Sequence, residues 1–343
     1  MTRRQPVHVV YGGAHLFKAD VSQKLGGLAI AAMDRWRPAP AELECSGAVL
    51  ERVRSKLQRE PVEDYRIDFE DGYGVRNDEE EDAHAIAAAK AVREGADAGT
   101  LPAFLGIRIR PLNGSTRERS MRTLRLFLQT VSYRLPAQFR VTLPKVKRPE
   151  EVAQLAVELR GRAWIEALVE TPAILGRLRE LLDAAGGKLL SVHLGPFDLL
   201  ASLGVSAPFQ RLHHSACTSA RMQMLMAFAG TDVEVVDGPT KILPVGDTRE
   251  PVIAAWRQHR DEILLSLAEG FYQGWDLHPA QLVTRYATLY QFYGLHAAEM
   301  QARLANYEAA SEQAVVMQRQ FDDASTVRGL RLFMQRARDC GAI

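Results

Sequence analysis

The chain has 343 residues, 47% of them hydrophobic and 25% charged, with a formal net charge of +1. That length and composition fit a soluble globular protein, with room for one large barrel plus extensions or for two domains. The near-neutral balance argues against a nucleic-acid partner, which usually needs a basic surplus.

Short β-rich runs alternate with helical patterns along the chain. The first candidate strand is residues 7–11. Residues 13–63 then predict about two helices, broken at Pro38–Pro40. The second strand, 65–69, closes in Asp68-Phe-Glu-Asp-Gly-Tyr-Gly74, whose glycines let the chain turn just after Glu70 and Asp71. That acid pair suits ordering of metal-bound water or proton transfer, or else a cap for the next helix. The third strand, 104–109, closes in Arg108-Ile-Arg110-Pro-Leu-Asn113, and strand alternation points both arginines the same way. Arginines there invite an anionic substrate or a developing oxyanion; a salt-bridged surface arginine is the plainer reading, and it suits Arg110 better than Arg108.

The fourth strand, 139–146, carries Leu143-Pro-Lys145-Val-Lys147. Lys145 has two readings: a Schiff-base nucleophile, or, as is commoner, a cation balancing buried carboxylates. Pro149 opens a helix with Val152, Leu155, Ala156 and Leu159 on one face. The fifth strand, 164–169, stops at Glu170. Thr171 can cap the following helix, Pro172 suits its first position, and Gly186-Gly187 ends it. The sixth strand, 189–194, runs on to Asp198. Strands seven and eight are 233–236 and 275–277. Between them lie the loop Leu243-Pro-Val-Gly-Asp-Thr248 and a helix from about Pro251. Beyond Pro279 the chain reads as helical to its end, with an interruption near Asp322-Asp323.

Eight strands separated by crossover helices predict a parallel (β/α)8 TIM barrel with extra helices and a helical C-terminal extension. The expected division is a catalytic barrel over 1–295 and an extension over 296–343. In such a barrel, Glu170 and Asp198 end neighbouring strands on the catalytic face. Two carboxylates there can hold a hard divalent cation with positions left open for substrate. Both can also be ordinary loop acids.

Other residues have plainer explanations. His213, His214 and Cys217 form a short cluster that favours packing or substrate contact over a metal triad. His193 reads as a satisfied interior histidine, and Arg117, Arg119, Arg122 and Arg125 as a solvated helix face. Cys45, Cys217 and Cys340 are odd in number and far apart, which fits a reducing cytoplasm rather than a disulfide framework. The opening residues show no apolar signal segment, and no apolar run reaches membrane-spanning length.

The strand-end motifs resemble the citrate lyase beta subunit and malyl-CoA lyase superfamily, which includes the HpcH/HpaI aldolases. Asp68-Phe-Glu-Asp-Gly72 is similar to its Asp-Leu-Glu-Asp-Ala, and Asn77-Asp-Glu-Glu-Glu-Asp-Ala83 to its acidic helix start. Arg108 lies at its Arg-x-Asn arginine. Leu143-Pro-Lys-Val146 matches its Pro-Lys-Val, and Val169-Glu-Thr171 its Ile-Glu-Thr. Gly195-Pro-Phe-Asp198-Leu-Leu-Ala-Ser-Leu-Gly204 is similar to Gly-x-Glu-Asp-Leu-Ala-Ala-Asp-Leu-Gly. Val236-Asp-Gly238 and Leu277-His-Pro-x-Gln281 fit its last two strands. The resemblance covers roughly residues 60–285.

It implies Mg²⁺, or Mn²⁺, on Glu170 and Asp198. The reaction implied is carbon–carbon cleavage or formation through an enolate of a 2-oxo or 2-hydroxy acid or its CoA thioester. Arg108 would stabilise the oxyanion, with Glu70 and Asp71 holding water nearby. Substrate contacts are implied at Arg110, Lys145, Gly195 and Pro196. Thioester hydrolysis on the same site and a non-catalytic ligand-binding role are the alternatives.

The chain departs from the family at several places. Val9-Val-Tyr-Gly-Gly-Ala14 replaces the Arg-Ser opening of CoA-using members, and Arg110 stands at the family's asparagine. Phe197 replaces an acidic residue, Gln273-Gly274 a Gly-Lys, and the Asp-Gly-Lys-Met lid segment has no counterpart. These differences leave room for a divergent member that acts on a free keto acid. The helical extension after Tyr293, with Leu304, Ala314, Val315, Leu330, Leu332 and Phe333, predicts a homo-oligomer, a trimer or hexamer.

Overall fold

Eight parallel strands close on themselves in sequence order: β1 (His8–Gly13), β2 (Asp64–Asp68), β3 (Phe104–Arg108), β4 (Arg140–Leu143), β5 (Trp164–Val169), β6 (Leu189–Leu194), β7 (Glu234–Pro239) and β8 (Gln273–Asp276). The computed structural model describes residues 3–132, 134–310, 315–317 and 320–343. The expected (β/α)8 barrel is the fold. β1 pairs with β8 through Val9↔Trp275, which seals the cylinder.

Helices α1 (Val21–Trp36) and α2 (Gly47–Arg59) fill the enlarged first connection on either side of the proline break. α3 (Asp78–Ala98) starts where Asn77 accepts a hydrogen bond from Glu80 N–H at 2.9 Å; four acids then fill its first turn, suiting the helix dipole. α4 (Arg117–Thr130) and α5 (Pro149–Leu159) follow β3 and β4.

The helix expected after Glu170 is broken into α6 (Pro172–Leu175) and α7 (Glu180–Ala184), with Gly176 at the break. Thr171 does not cap it. Its hydroxyl donates instead to the Val146 carbonyl at 2.6 Å, tying β5 to the end of β4. α8 (Pro196–Ser202) and α9 (Ser215–Phe228) follow β6, α10 (Arg249–Ala268) follows β7, and α11 (Gln281–Ala309) follows β8.

α11 runs unbroken through residue 295. An antiparallel pair, β9 (Val315–Met317) and β10 (Gln320–Asp322), and then α12 (Ala324–Asp339) complete the extension. Leu304 and Leu330 are buried there with Tyr307 and Val327, so the extension uses part of its apolar surface on itself. Phe333 packs 4.9 Å from Tyr293 (ring centroids), while Leu332 is exposed. Ala314 lies outside the described residues. Among the described residues no helix is long and apolar enough to cross a membrane.

Apolar side chains of the strands, such as Ile67, Ile107, Val141, Ile165 and Val192, are buried in one continuous core with the helices. The barrel interior is different. Barrels of this type usually fill it with Val, Ile and Leu. Here Arg66 of β2 reaches across to Glu166 of β5 at 2.6 Å and also holds Asp64. Arg140 joins Asp64 at 2.7 Å, and Ser191 and His193 lie 2.8 and 2.7 Å from Glu166. These residues are fully buried. The pairing of opposite charges makes that burial tolerable, although Arg140 Nε and Nη2 have no hydrogen-bond partner. His193 is interior, as the sequence predicts, but only half satisfied: Nε2 meets Glu166 and Ser191, while Nδ1 is buried without a partner.

Candidate active site

Asp68 ends β2 and Arg108 ends β3, and the two are cross-strand partners. Arg108 donates from Nε to Asp68 Oδ1 at 2.7 Å and from Nη2 to Oδ2 at 2.5 Å. This fork fixes the guanidinium plane. Its remaining nitrogen, Nη1, lies 3.1 Å from Glu70 Oε2. The guanidinium carbon sits 4.7 Å from the Tyr11 ring centroid and 5.7 Å from that of Trp275. Asp68 also accepts from the backbone N–H of Glu70 (2.9 Å) and Gly72 (2.7 Å), which folds the turn carrying Glu70 and Asp71. A Cβ at position 72 would lie 2.7 Å from Asp68 Oδ2, so the turn needs glycine.

Lys145 follows β4 with φ of 51°, a left-handed conformation costly for a side chain of its kind. That bend aims its N–H at Glu170 Oε1, 2.5 Å away. Its ammonium bonds to Glu70, lies 3.2 Å from Asp71 Oδ1 and stands 3.8 Å from Asp198 Oδ1. Burial alone would lower the Lys145 pKa. The hydrogen bond to Glu70 and the charges of Glu70, Asp71 and Asp198 outweigh it and push the pKa upward. A Schiff-base lysine needs the opposite, a depressed amine. The geometry therefore favours the charge-balancing reading.

The carboxylates are poised differently. Burial pushes the Glu170 carboxyl up to about 8, helped by the charges of Asp198 and Glu70. Burial also raises Glu70 and Asp198, each opposed in part by a cation, Arg108 or Lys145. Asp71 is held below its ordinary range because Arg108 and Lys145 outweigh its burial. Gly195 leaves room for Glu170, since a Cβ there would lie 2.3 Å from Oε2.

A cavity of about 370 Å³ opens at these strand ends. Asp68, Asp71, Arg108, Glu170 and Asp198 line it, together with Tyr11, Trp275, Leu277, Pro239 and Phe197, and with Gly195 and Pro196. Glu70 and Lys145 touch it through Arg108, Asp71 and Asp198. Arg110 does not join. β3 stops at Arg108, so alternation no longer applies, and Arg110 turns to Glu81 of α3 at 2.8 Å and to the Gly74 carbonyl.

Among the described residues, no group of three or more His, Cys, Asp or Glu stands together as a metal cage. His213, His214 and Cys217 form no triad: His214 caps α9 and Cys217 is buried in the core. Arg119 and Arg122 pair with Asp82, and Arg125 with Glu158. Sequence reasoning passed over Asp68, Tyr11 and Trp275 as site residues. The signal for Asp68 was available, because it is the last strand residue before Glu70.

The whole chain, residues 1–343, matches the profile of a family described as a domain of unknown function, DUF6986. The chain belongs to the DUF6986 family. No curated protein matches this DUF6986 chain. Solved structures do resemble it. A citrate lyase from Burkholderia xenovorans LB400 is 18% identical with a TM-score of 0.67, over 98% of this chain and 92% of that one. The CitE protein of Mycobacterium tuberculosis, in complex with magnesium, acetoacetate and coenzyme A, is 20% identical with a TM-score of 0.61, over 98% and 99%. A malate synthase from Haloferax volcanii is 14% identical with a TM-score of 0.57, over 83% and 73%. The DUF6986 chain shares its fold with these barrels, the superfamily that its strand-end motifs resemble.

Proposed function

We propose that this chain is a Mg²⁺-dependent carbon–carbon lyase or aldolase acting on a 2-oxo or 2-hydroxy acid or its CoA thioester. One observation carries the reading: Glu170 is buried at a cavity that Asp198, Asp71 and Asp68 also line, so that burial and the charges of Asp198 and Glu70 push its carboxyl upward. A divalent cation would relieve that repulsion. The donor set fits it, with hard carboxylate oxygens, space kept by Gly195, and too few protein ligands to close the shell. Mg²⁺ commonly takes one or two carboxylates and leaves its other positions to water and substrate. Mn²⁺ suits the same donors.

Held by Glu170 and Asp198, the cation would supply Lewis-acid polarisation of the substrate's oxygens. The chain's own residues do the rest. Arg108, aligned by Asp68, presents N–H groups to the oxygen that gains charge as the bond breaks. Glu70 and Asp71 order water and move a proton at the substrate carbon. Lys145 keeps these acids in place by balancing their charge. The CitE complex with magnesium, acetoacetate and coenzyme A and the citrate lyase likeness support the reading at the level of the fold.

The test needs no knowledge of the natural substrate. Pyruvate in D₂O should exchange its methyl protons, followed by NMR, when enzyme and Mg²⁺ are both present. Exchange should stop with EDTA and in Glu170→Ala. Exchange that continues without divalent cation would overturn the reading.

A further inference from the structure

The metal-and-acid chemistry uses only part of the cavity lining. Tyr11, Trp275, Pro239, Leu277 and Phe197 line it as well. The Tyr11 and Trp275 rings lie one over the other, with centroids 4.2 Å apart at 32°. The Tyr11 hydroxyl is turned to Glu166 at 3.3 Å, in the barrel interior. Trp275 Nε1 is buried and has no hydrogen-bond partner. Phe197 carries the Lys241 ammonium 5.2 Å from its ring centroid. Leu277 is 39% exposed, an apolar side chain left open at the mouth.

Pro239, Leu277 and the ring of Phe197 offer an entering group no hydrogen bond. An apolar group would gain by leaving water. The volume, about 370 Å³, falls within the ~300–1,000 Å³ usual for pockets that enclose a whole ligand, so it leaves room beyond a three-carbon acid head.

We propose that the apolar residues of the cavity select a 2-oxo or 2-hydroxy acid whose substituent is apolar, an aromatic ring above all. The acid head lies toward Arg108, Glu170 and Asp198, and the substituent lies against Trp275, Phe197 and Leu277. The inference rests on the lyase reading for the placement of the head. The Arg108 guanidinium lies on the Tyr11 ring while holding Asp68, so the charged and apolar lining residues meet there.

Calorimetry on the full-length protein in Mg²⁺ tests this with unreactive probes: oxalate for the head alone, then lactate against 3-phenyllactate. Phenyllactate should bind at least about tenfold tighter than lactate, as expected when a ring leaves water. Phe197→Ala, in the first turn of α8, and Leu277→Ser, just after β8, should each shrink that ratio severalfold while oxalate affinity holds. A ratio below about threefold, or one that neither variant moves, would overturn the proposal if oxalate still binds. If oxalate fails to bind in Mg²⁺, the lyase reading falls and this inference falls with it.

Discussion

Glu170→Gln isolates the charge that the barrel mouth must bury. Glu170 is 3% exposed, and burial with Asp198 and Glu70 nearby raises its carboxyl from 4.5 to about 8. The folded chain therefore holds this proton more tightly than the unfolded chain. Stability from this group is complete below about pH 4.5, falls as pH rises, and levels off above about pH 8. At about 1.4 kcal/mol per pH unit, the full loss is about 5 kcal/mol, with about 3 kcal/mol already gone at pH 7. Glutamine keeps the shape and an oxygen for the Lys145 N–H but cannot ionise. Urea unfolding of both proteins in EDTA at pH 5, 7 and 8.5 measures the difference. The variant should gain on wild type by several kcal/mol across that range, and saturating Mg²⁺ should restore the wild type alone. Parallel stability curves for the two proteins would refute the reasoning.

Arg108→Lys should lower metal-dependent turnover by roughly 10²–10³, because one mobile ammonium replaces a planar fork, while Mg²⁺ affinity by calorimetry changes little. Near-normal turnover would remove Arg108 from the chemistry. Borohydride added to enzyme and pyruvate should leave no mass adduct on Lys145, since its neighbours keep the amine protonated; a stable adduct would restore the Schiff-base reading. Light scattering at micromolar concentration should give a trimer or hexamer, with exposed Leu332, Phe321 and Leu295 of the extension contributing to the contact. A monomeric mass would contradict that assembly.

Much of the barrel was legible because each strand is a short apolar run closed by a turn signal. β5 and β6 match their expected bounds of 164–169 and 189–194 residue for residue. β4 was read too long: the run continues through Pro144-Lys145-Val146, but the left-handed Lys145 leaves the ladder. Glu170, Asp198, Glu70, Asp71 and Arg108 were legible as polar residues at strand ends, and they do gather around one cavity. Their contacts were not. Arg108 finds Asp68 forty positions away, and Arg66 finds Glu166 a hundred away, across a space that exists only once the barrel closes. For Arg110 the salt-bridged reading is the one the structure shows, since β3 ends at Arg108 and the side chain turns to Glu81. Thr171 was misjudged because the Val146 carbonyl, in the loop after β4, competed for its hydroxyl.

A crystal soaked with Mn²⁺ and oxalate tests the central claim most directly. The account predicts one anomalous peak at the barrel mouth, with a carboxylate oxygen of Glu170 and one of Asp198 each about 2.1–2.3 Å from the ion. Oxalate should fill the open positions, facing Arg108. A site without the ion, or with the two carboxylates more than about 7 Å apart and unable to share it, would contradict the account.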